Sequence, residues 1–183
     1  FTRDLDRLGA GGERLTLFLG GTLGNLYPEE RGPFFRSLSR GMAASDALLL
    51  GVDLVKAPAR LEAAYDDPEG VTAAFNQNVL RALNHRFGAD FDVASFAHRA
   101  FYDAEHAWIE MRLCAMRAMR VRIPALDLTL TLARGAEIRT EVSCKFTRAS
   151  LATAAAPGGL FISHWYTDPE ALFALAVLRK TDA

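Results

Sequence analysis

A five-residue apolar run, LTLFL (residues 15–19), empties into GGTLGN (residues 20–25), and this junction of strand and turn constrains the fold more than any other stretch. Five consecutive apolar or β-compatible residues predict a strand buried on both faces, as in parallel sheets. Gly20 and Gly21 let the backbone come close to a ligand at the strand's carboxyl end, which is where ligands sit in open α/β sheets. The G-G-x-x-G spacing is neither a dinucleotide fingerprint nor a Walker loop, because no Gly-Lys-Ser/Thr follows. Taken alone it also describes a tight turn that merely breaks a strand.

Composition narrows the function classes. The 183 residues are 50% hydrophobic and 23% charged, with 21 Lys and Arg against 22 Asp and Glu, a net charge of −1. Such a chain is an ordinary globular one, and nothing in it calls for nucleic acid or an anionic membrane. The two cysteines, Cys114 and Cys144, form no C-x-x-C, and the four histidines stand in no H-x-x-x-H pattern, so no metal is expected. Two cysteines without such spacing suit a reducing compartment, and with no signal-peptide profile and no apolar run of membrane length the expected location is cytoplasmic. The chain opens on Phe1 and reads as a segment entered midway, which suggests the back part of a longer protein.

In chain order, a helix follows the glycine turn. Pro28 at a first helical position with Glu29 and Glu30 behind it is a start signal, and Phe34, Phe35, Leu38 and Met42 form its stripe, although Gly32 and Pro33 weaken the first turn. ALLLGVDL (residues 47–54) is a second buried strand, so residues 15–54 form one βαβ unit. Pro58 and YDDPEG (residues 65–70) then break the alternation. A long helix is expected over residues 71–87, with Gly88 at its C′ position. Residues 96–143 read as strands, FAHRAFY, WIEMRLCAMRAMRVRI, LDLTLTL and EIRTEVS, paired antiparallel across short turns. A helix capped by Thr147 and two strands, LFISHWY and ALFALAVLR, finish the chain. Their tight connection makes them antiparallel, so a mostly parallel sheet ends with one reversed strand, a finish typical of S-adenosylmethionine-dependent methyltransferases.

With that in view, six stretches become specific: FLGGTLGNL (18–26), LLLGVDLVK (48–56), LEAAYDDPEGVTAAFNQNVL (61–80), IEMRL (109–113), IRTEVSCKFT (138–147) and WYTDPEALFAL (165–175). In these the chain resembles the histidine-specific N-alpha methyltransferases of ergothioneine biosynthesis, and specifically their C-terminal portion. The resemblance implies an α/β fold, the back half of a Rossmann-like methyltransferase sheet with an inserted α+β substrate-binding subdomain. The expected domains are a partial methyltransferase domain (residues 1–56), the inserted subdomain (57–144) and a return to the methyltransferase domain (145–183). It also implies S-adenosylmethionine as cofactor and methylation of the α-amino group of L-histidine up to the trimethylated betaine, hercynine. The partner expected is a small amino acid, with no nucleic acid and no membrane, and a monomer is favoured.

By the same resemblance, Asn25 holds the amino and carboxylate end of the substrate and Tyr65 reaches the carboxylate. Glu141 and Ser143 grip the imidazole, and Met111 packs beside it. Phe1 lies next to the cofactor's adenine, and Gly20 approaches its methionine part. Two departures from the family pattern are visible: Gly21 stands where serine is common, and Cys144 where an aromatic or histidine is usual.

Chemistry supports these assignments independently. In a strand Glu141 and Ser143 share a face, roughly 7 Å apart. A neutral imidazole offers one N–H donor and one bare nitrogen, so a carboxylate takes the first and a hydroxyl serves the second. The blander readings are a solvated strand face for the E-x-S pair, a half-buried loop aromatic for Tyr65, a turn former for Asn25 and core filler for Met111. The rival reading of the whole is a truncated or catalytically silent methyltransferase-fold domain. On either view the isolated chain is expected to be inactive and not to bind cofactor usefully.

Overall fold

Leu15–Phe18 forms strand β1, which pairs in parallel with β2 (Ala47–Asp53), and between them runs helix α1 (Pro28–Arg40). This computed structural model describes residues 12–181. The βαβ reading therefore holds, with one correction. Among the described residues β1 is the edge of its sheet, and it is not buried on both faces, since Leu15 is 60% and Leu17 55% exposed. An apolar run marks a strand, but only its neighbours decide which faces are covered.

α1 begins as its sequence requires. Pro28 occupies the first turn and the Glu30 carboxylate accepts from the Tyr27 amide at 2.7 Å. The helix runs through Pro33 and buries Phe35 and Leu38, while Phe34 meets the Phe18 ring at 5.0 Å. Before β2, the buried Asp46 carboxylate accepts from the Arg14 backbone amide at 2.9 Å, the Arg14 guanidinium at 2.6 Å and the Ala43 amide at 2.8 Å. This bridge ties the entry of β1 to the entry of β2.

Beyond β2 lie helix α2 (Pro58–Tyr65) and helix α3 (Val71–Phe87). α3 has the bounds its periodicity predicts, with Gly88 left-handed behind it, and the Asp67 carboxylate accepts from the amides of Val71 and Thr72 at its start. α2 is an addition to the expected elements: Pro58 breaks the α/β alternation, but at a first helical position it also starts a helix. Strands β3 (Phe96–Asp103), β4 (Trp108–Ala115), β5 (Met119–Ile123), β6 (Leu128–Leu132) and β7 (Glu137–Cys144) follow. The single strand expected over WIEMRLCAMRAMRVRI is thus two. Its ladder stops where the Met116 amide donates to the Ser95 carbonyl at 2.9 Å and Arg117 turns to Asp92 and Ser95. Two sheets result, β3-β4-β7 and the antiparallel pair β5-β6.

Helix α4 (Arg148–Ala155) carries the expected Thr147 cap, whose hydroxyl accepts from the Ser150 amide at 3.0 Å. Strands β8 (Leu160–Thr167) and β9 (Phe173–Lys180) complete the sheet β1-β2-β9-β8. β9 is antiparallel to both its neighbours, so among the described residues it is the one reversed strand in an otherwise parallel sheet.

Contacts divide the molecule into two units. The first holds the described residues up to Lys56, His106–Trp108 and those from Ser143 onward; the second holds Ala57–Glu105 and Ile109–Val142. Among the described residues no helix is long and apolar enough to cross a membrane.

Two outcomes are expected. Asp46→Ala, which leaves the partly buried Arg14 guanidinium without its carboxylate and the Ala43 amide without its acceptor, should lower stability by about 2 kcal/mol in urea unfolding at pH 7; an unmoved midpoint would show the bridge to be idle. Acid should unfold the protein through its tethered carboxyls. Asp46 is held at about 2 by its hydrogen bonds from Arg14, Asp67 at about 2 by those from Thr72, and Glu137 at about 2 by those from Arg112. Each binds fewer protons folded than unfolded, so its stabilisation is complete above the ordinary carboxylate range and is lost as pH falls toward 2. Urea midpoints measured from pH 7 to pH 2.5 should be flat at first and then drop below about pH 4.5.

Candidate active site

In the first unit, the candidate site begins where β1 ends. Gly20 and Gly21 are both left-handed, with φ of 82° and 71°, and they turn the chain into a short 3-10 segment, Thr22–Asn25. The turn closes on itself through the Gly24 amide to the Gly21 carbonyl at 2.9 Å. At Gly20 a side chain would meet nothing nearer than the Thr22 hydroxyl at 3.9 Å, so the backbone here faces open space. That is a geometry in which a ligand can lie close against main chain. Phe1, assigned to the adenine, lies outside the described residues.

Gly24 is required for a different reason. A Cβ there would sit 2.8 Å from the Cys144 carbonyl oxygen and 3.2 Å from its nitrogen, so two backbones are in direct contact. Leu26, on the other side of Asn25, also approaches Cys144, whose sulfur lies 3.9 Å from its carbonyl. Asn25 is exposed at the end of the turn, and both its neighbours touch the residue that follows Ser143. The structure therefore places the Asn25 turn on the stretch that carries Ser143. Two residues further on, Tyr27 meets Trp108 edge-on at 6.0 Å and His106 stacks on Trp108 at 4.4 Å.

Ser143 itself is 8% exposed, and its hydroxyl oxygen accepts from the Lys145 ammonium at 2.9 Å. Lys145 is 3% exposed and forms a 2.8 Å ion pair with Asp53, at the carboxyl end of β2. Asp53 also receives Lys56 at 2.5 Å. Burial pushes the Asp53 carboxyl up, but the ammonium groups of Lys145 and Lys56 outweigh it and hold the carboxyl below its usual value.

In the second unit, Met111 is buried in a cluster with Leu61 and Ile109, and Tyr65, the last residue of α2, packs against that cluster. Two of the residues assigned to substrate are thus gathered by one apolar core. The Tyr65 carbonyl accepts from His98 Nε2 at 2.8 Å, which puts the ring proton on that nitrogen; Nδ1 then accepts from the Asn76 amide at 2.9 Å. Glu141 is half-buried on β7, and the preceding Thr140 donates to the Met111 carbonyl at 3.0 Å. Alternation puts Glu141 and Ser143 on one face of β7, with the buried Val142 on the other.

Sequence reasoning missed Asp53, Lys145 and His98. The carboxyl-end rule for open sheets singles out Asp53 as legibly as it does Gly20, and Lys145 continues the E-x-S alternation by one step. No local signal pairs Asn76 with His98. Among the described residues no group of three or more His, Cys, Asp or Glu is placed to hold a metal ion.

A sheet of parallel strands with one reversed strand, and a glycine turn at a carboxyl end, define a Rossmann-like methyltransferase fold. The model of the histidine-specific, S-adenosylmethionine-dependent methyltransferases matches residues 1–180, and the chain belongs to that family. It is 46% identical over 177 residues to the histidine N-alpha-methyltransferase of Mycolicibacterium smegmatis, covering 97% of this chain and 55% of that protein. To its counterpart from Mycobacterium tuberculosis it is 47% identical over 180 residues, covering 98% and 56%. The chain thus spans little more than half the length of these relatives. A solved S-adenosylmethionine-dependent methyltransferase from Clostridium acetobutylicum superposes with a TM-score of 0.47 at 9% identity, over 98% of this chain and 63% of that one, too loosely to add to the assignment.

Gly24→Ala should move the turn off Cys144, because neither backbone can yield as a side chain would. A loss of about 2 kcal/mol in thermal or urea unfolding is expected; wild-type stability would mean that the turn and Cys144 are not in contact in solution.

Proposed function

We propose that the protein carrying this chain transfers methyl groups from S-adenosylmethionine to the α-amino nitrogen of L-histidine, up to the trimethylated betaine. The observation that carries this reading is the alternation on β7, which gives one strand face a carboxylate and a hydroxyl two residues apart. Together Glu141 and Ser143 complement a neutral imidazole: the carboxylate accepts its N–H, and the hydroxyl donates to its bare nitrogen. Asn25 and Tyr65 hold the amino and carboxylate end, Met111 packs beside the ring, and Gly20 gives the cofactor's methionine part its close approach.

S-adenosylmethionine, when bound, supplies an electrophilic methyl group on a sulfonium. The chain's own residues contribute position. A clamped carboxylate and a gripped imidazole fix the amine between them, so that its lone pair is held in line and its water is stripped away, effects worth on the order of 7 to 11 kcal/mol for well-held reactants. The amine must be held as the free base, and repeated transfer requires room around the same nitrogen. The second unit carries three of the five substrate assignments, Tyr65, Met111 and Glu141, and is read as the substrate-recognising insertion.

The reading is tested in the protein expressed from its full reading frame. Asn25→Ala should weaken histidine binding by about 1 to 3 kcal/mol in calorimetry, and Tyr65→Phe, which removes only a hydroxyl, by less. Unchanged affinity in both would rule out the carboxylate clamp. Rejection of rings that leave buried polar partners unpaired can reach about 10⁴. Glu141→Ala combined with Ser143→Ala should therefore abolish histidine methylation and open some activity toward phenylalanine or tryptophan; an intact histidine preference would place the imidazole elsewhere.

A further inference from the structure

We propose that Lys145 is a positioning residue that sets the hydrogen-bonding polarity of Ser143, making this hydroxyl a committed donor that selects a neutral azole nitrogen. The inference rests on the assignment of Ser143 to the imidazole. A serine hydroxyl both donates and accepts, so by itself it discriminates poorly between a bare nitrogen and an N–H. An ammonium only donates. In the 2.9 Å contact between Lys145 Nζ and Ser143 Oγ the lysine therefore gives the proton, the serine oxygen gives a lone pair, and the serine's own proton is turned away from the lysine. Donation from a cation in a buried setting also polarises the hydroxyl and strengthens it as a donor.

Lys145 is held for this task from several directions. Its side chain has no exposed surface, its ammonium is 2.8 Å from Asp53 Oδ2, and its backbone amide donates to the Ala107 carbonyl at 2.8 Å. Asp53 is fixed in turn, since its carbonyl accepts from the Phe146 amide at 2.8 Å and its other carboxylate oxygen takes Lys56 at 2.5 Å. The cation therefore cannot swing away from Ser143 without stranding a buried charge. A ring with carbon in place of the bare nitrogen offers this donor no acceptor, and a ring that offers N–H there meets a donor with a donor.

The test compares kcat/KM for histidine with that for the two pyrrolylalanines, in each of which one ring nitrogen has become carbon. Wild type, Ser143→Ala, Lys145→Met and the double variant are assayed in the protein from its full reading frame, with folding checked by circular dichroism. The preference for histidine over the pyrrolylalanine that lacks the bare nitrogen should fall about tenfold in Lys145→Met, by a similar factor in Ser143→Ala, and no further in the double variant. If Lys145→Met fails to fold, Lys145→Met with Asp53→Asn removes both charges at nearly constant volume and is held to the same outcome. Lost preference in Ser143→Ala but not in the lysine variant overturns the proposal and leaves the reading of Ser143 standing. Preference retained in Ser143→Ala overturns both. A lysine effect that adds in full on top of Ser143→Ala marks a merely structural lysine, and also overturns the proposal.

Discussion

A buried ammonium is the constraint on which the first unit turns. Removing a lysine head group from water costs several kcal/mol unless a counter-charge and further acceptors replace the solvent. Lys145 obtains the carboxylate of Asp53 and the hydroxyl of Ser143, and that requirement draws the end of β7 to the end of β2. The backbones follow the charges, with Phe146 donating to the Asp53 carbonyl, Val55 donating to the Phe146 carbonyl, and Leu54 and Phe146 forming a parallel bridge. Once residues 143–146 are laid beside residues 53–55, the glycine turn must rest on Cys144. It does so only because Gly24 has no side chain to hold it off.

The second unit rests on a sheet with two unlike faces. Along β4, Ile109, Met111 and Leu113 point one way into apolar clusters that take in Leu61 of α2 and Leu80 of α3. Glu110 and Arg112 point the other way, where Arg112 also pairs with Glu137, Arg99 pairs with Glu137 at 2.7 Å, and Arg139 reaches Glu110 at 3.4 Å. Glu110 is almost wholly buried, and two arginines answer its charge. This division fixes Met111 by packing, while β7 is bound to the same sheet from the other side of β4. The groups proposed for recognition on β4 and β7 are held on strands rather than loops, which suits the proposed reaction, whose rate depends on position more than on acid or base chemistry.

His98 links three elements around the end of α2. Its ring spans the Tyr65 carbonyl and the Asn76 amide, and Asn76 donates in turn to the Arg112 carbonyl at 3.1 Å. The end of α2, the first turns of α3 and the middle of β4 are thereby linked by groups with fixed donor and acceptor roles.

Local patterns determined much of this protein. The 3.6-residue stripe and following Gly88 give α3 its ends, Thr147 starts α4, and Gly20 and Gly21 place the turn at the end of β1, because capping, left-handed backbone and helical periodicity act over a few residues. Strand alternation, which can be read in one dimension, sets Glu141 and Ser143 on one face of β7. Tertiary structure decided the rest. That β1 lies, among the described residues, at an edge with two leucines exposed, that the strand after Trp108 breaks at Met116, and that Lys145 is buried against Asp53 all depend on partners tens of residues away in sequence. Burial and charge pairing belong to pairs of surfaces, and a pattern on one strand cannot say what the other surface will be.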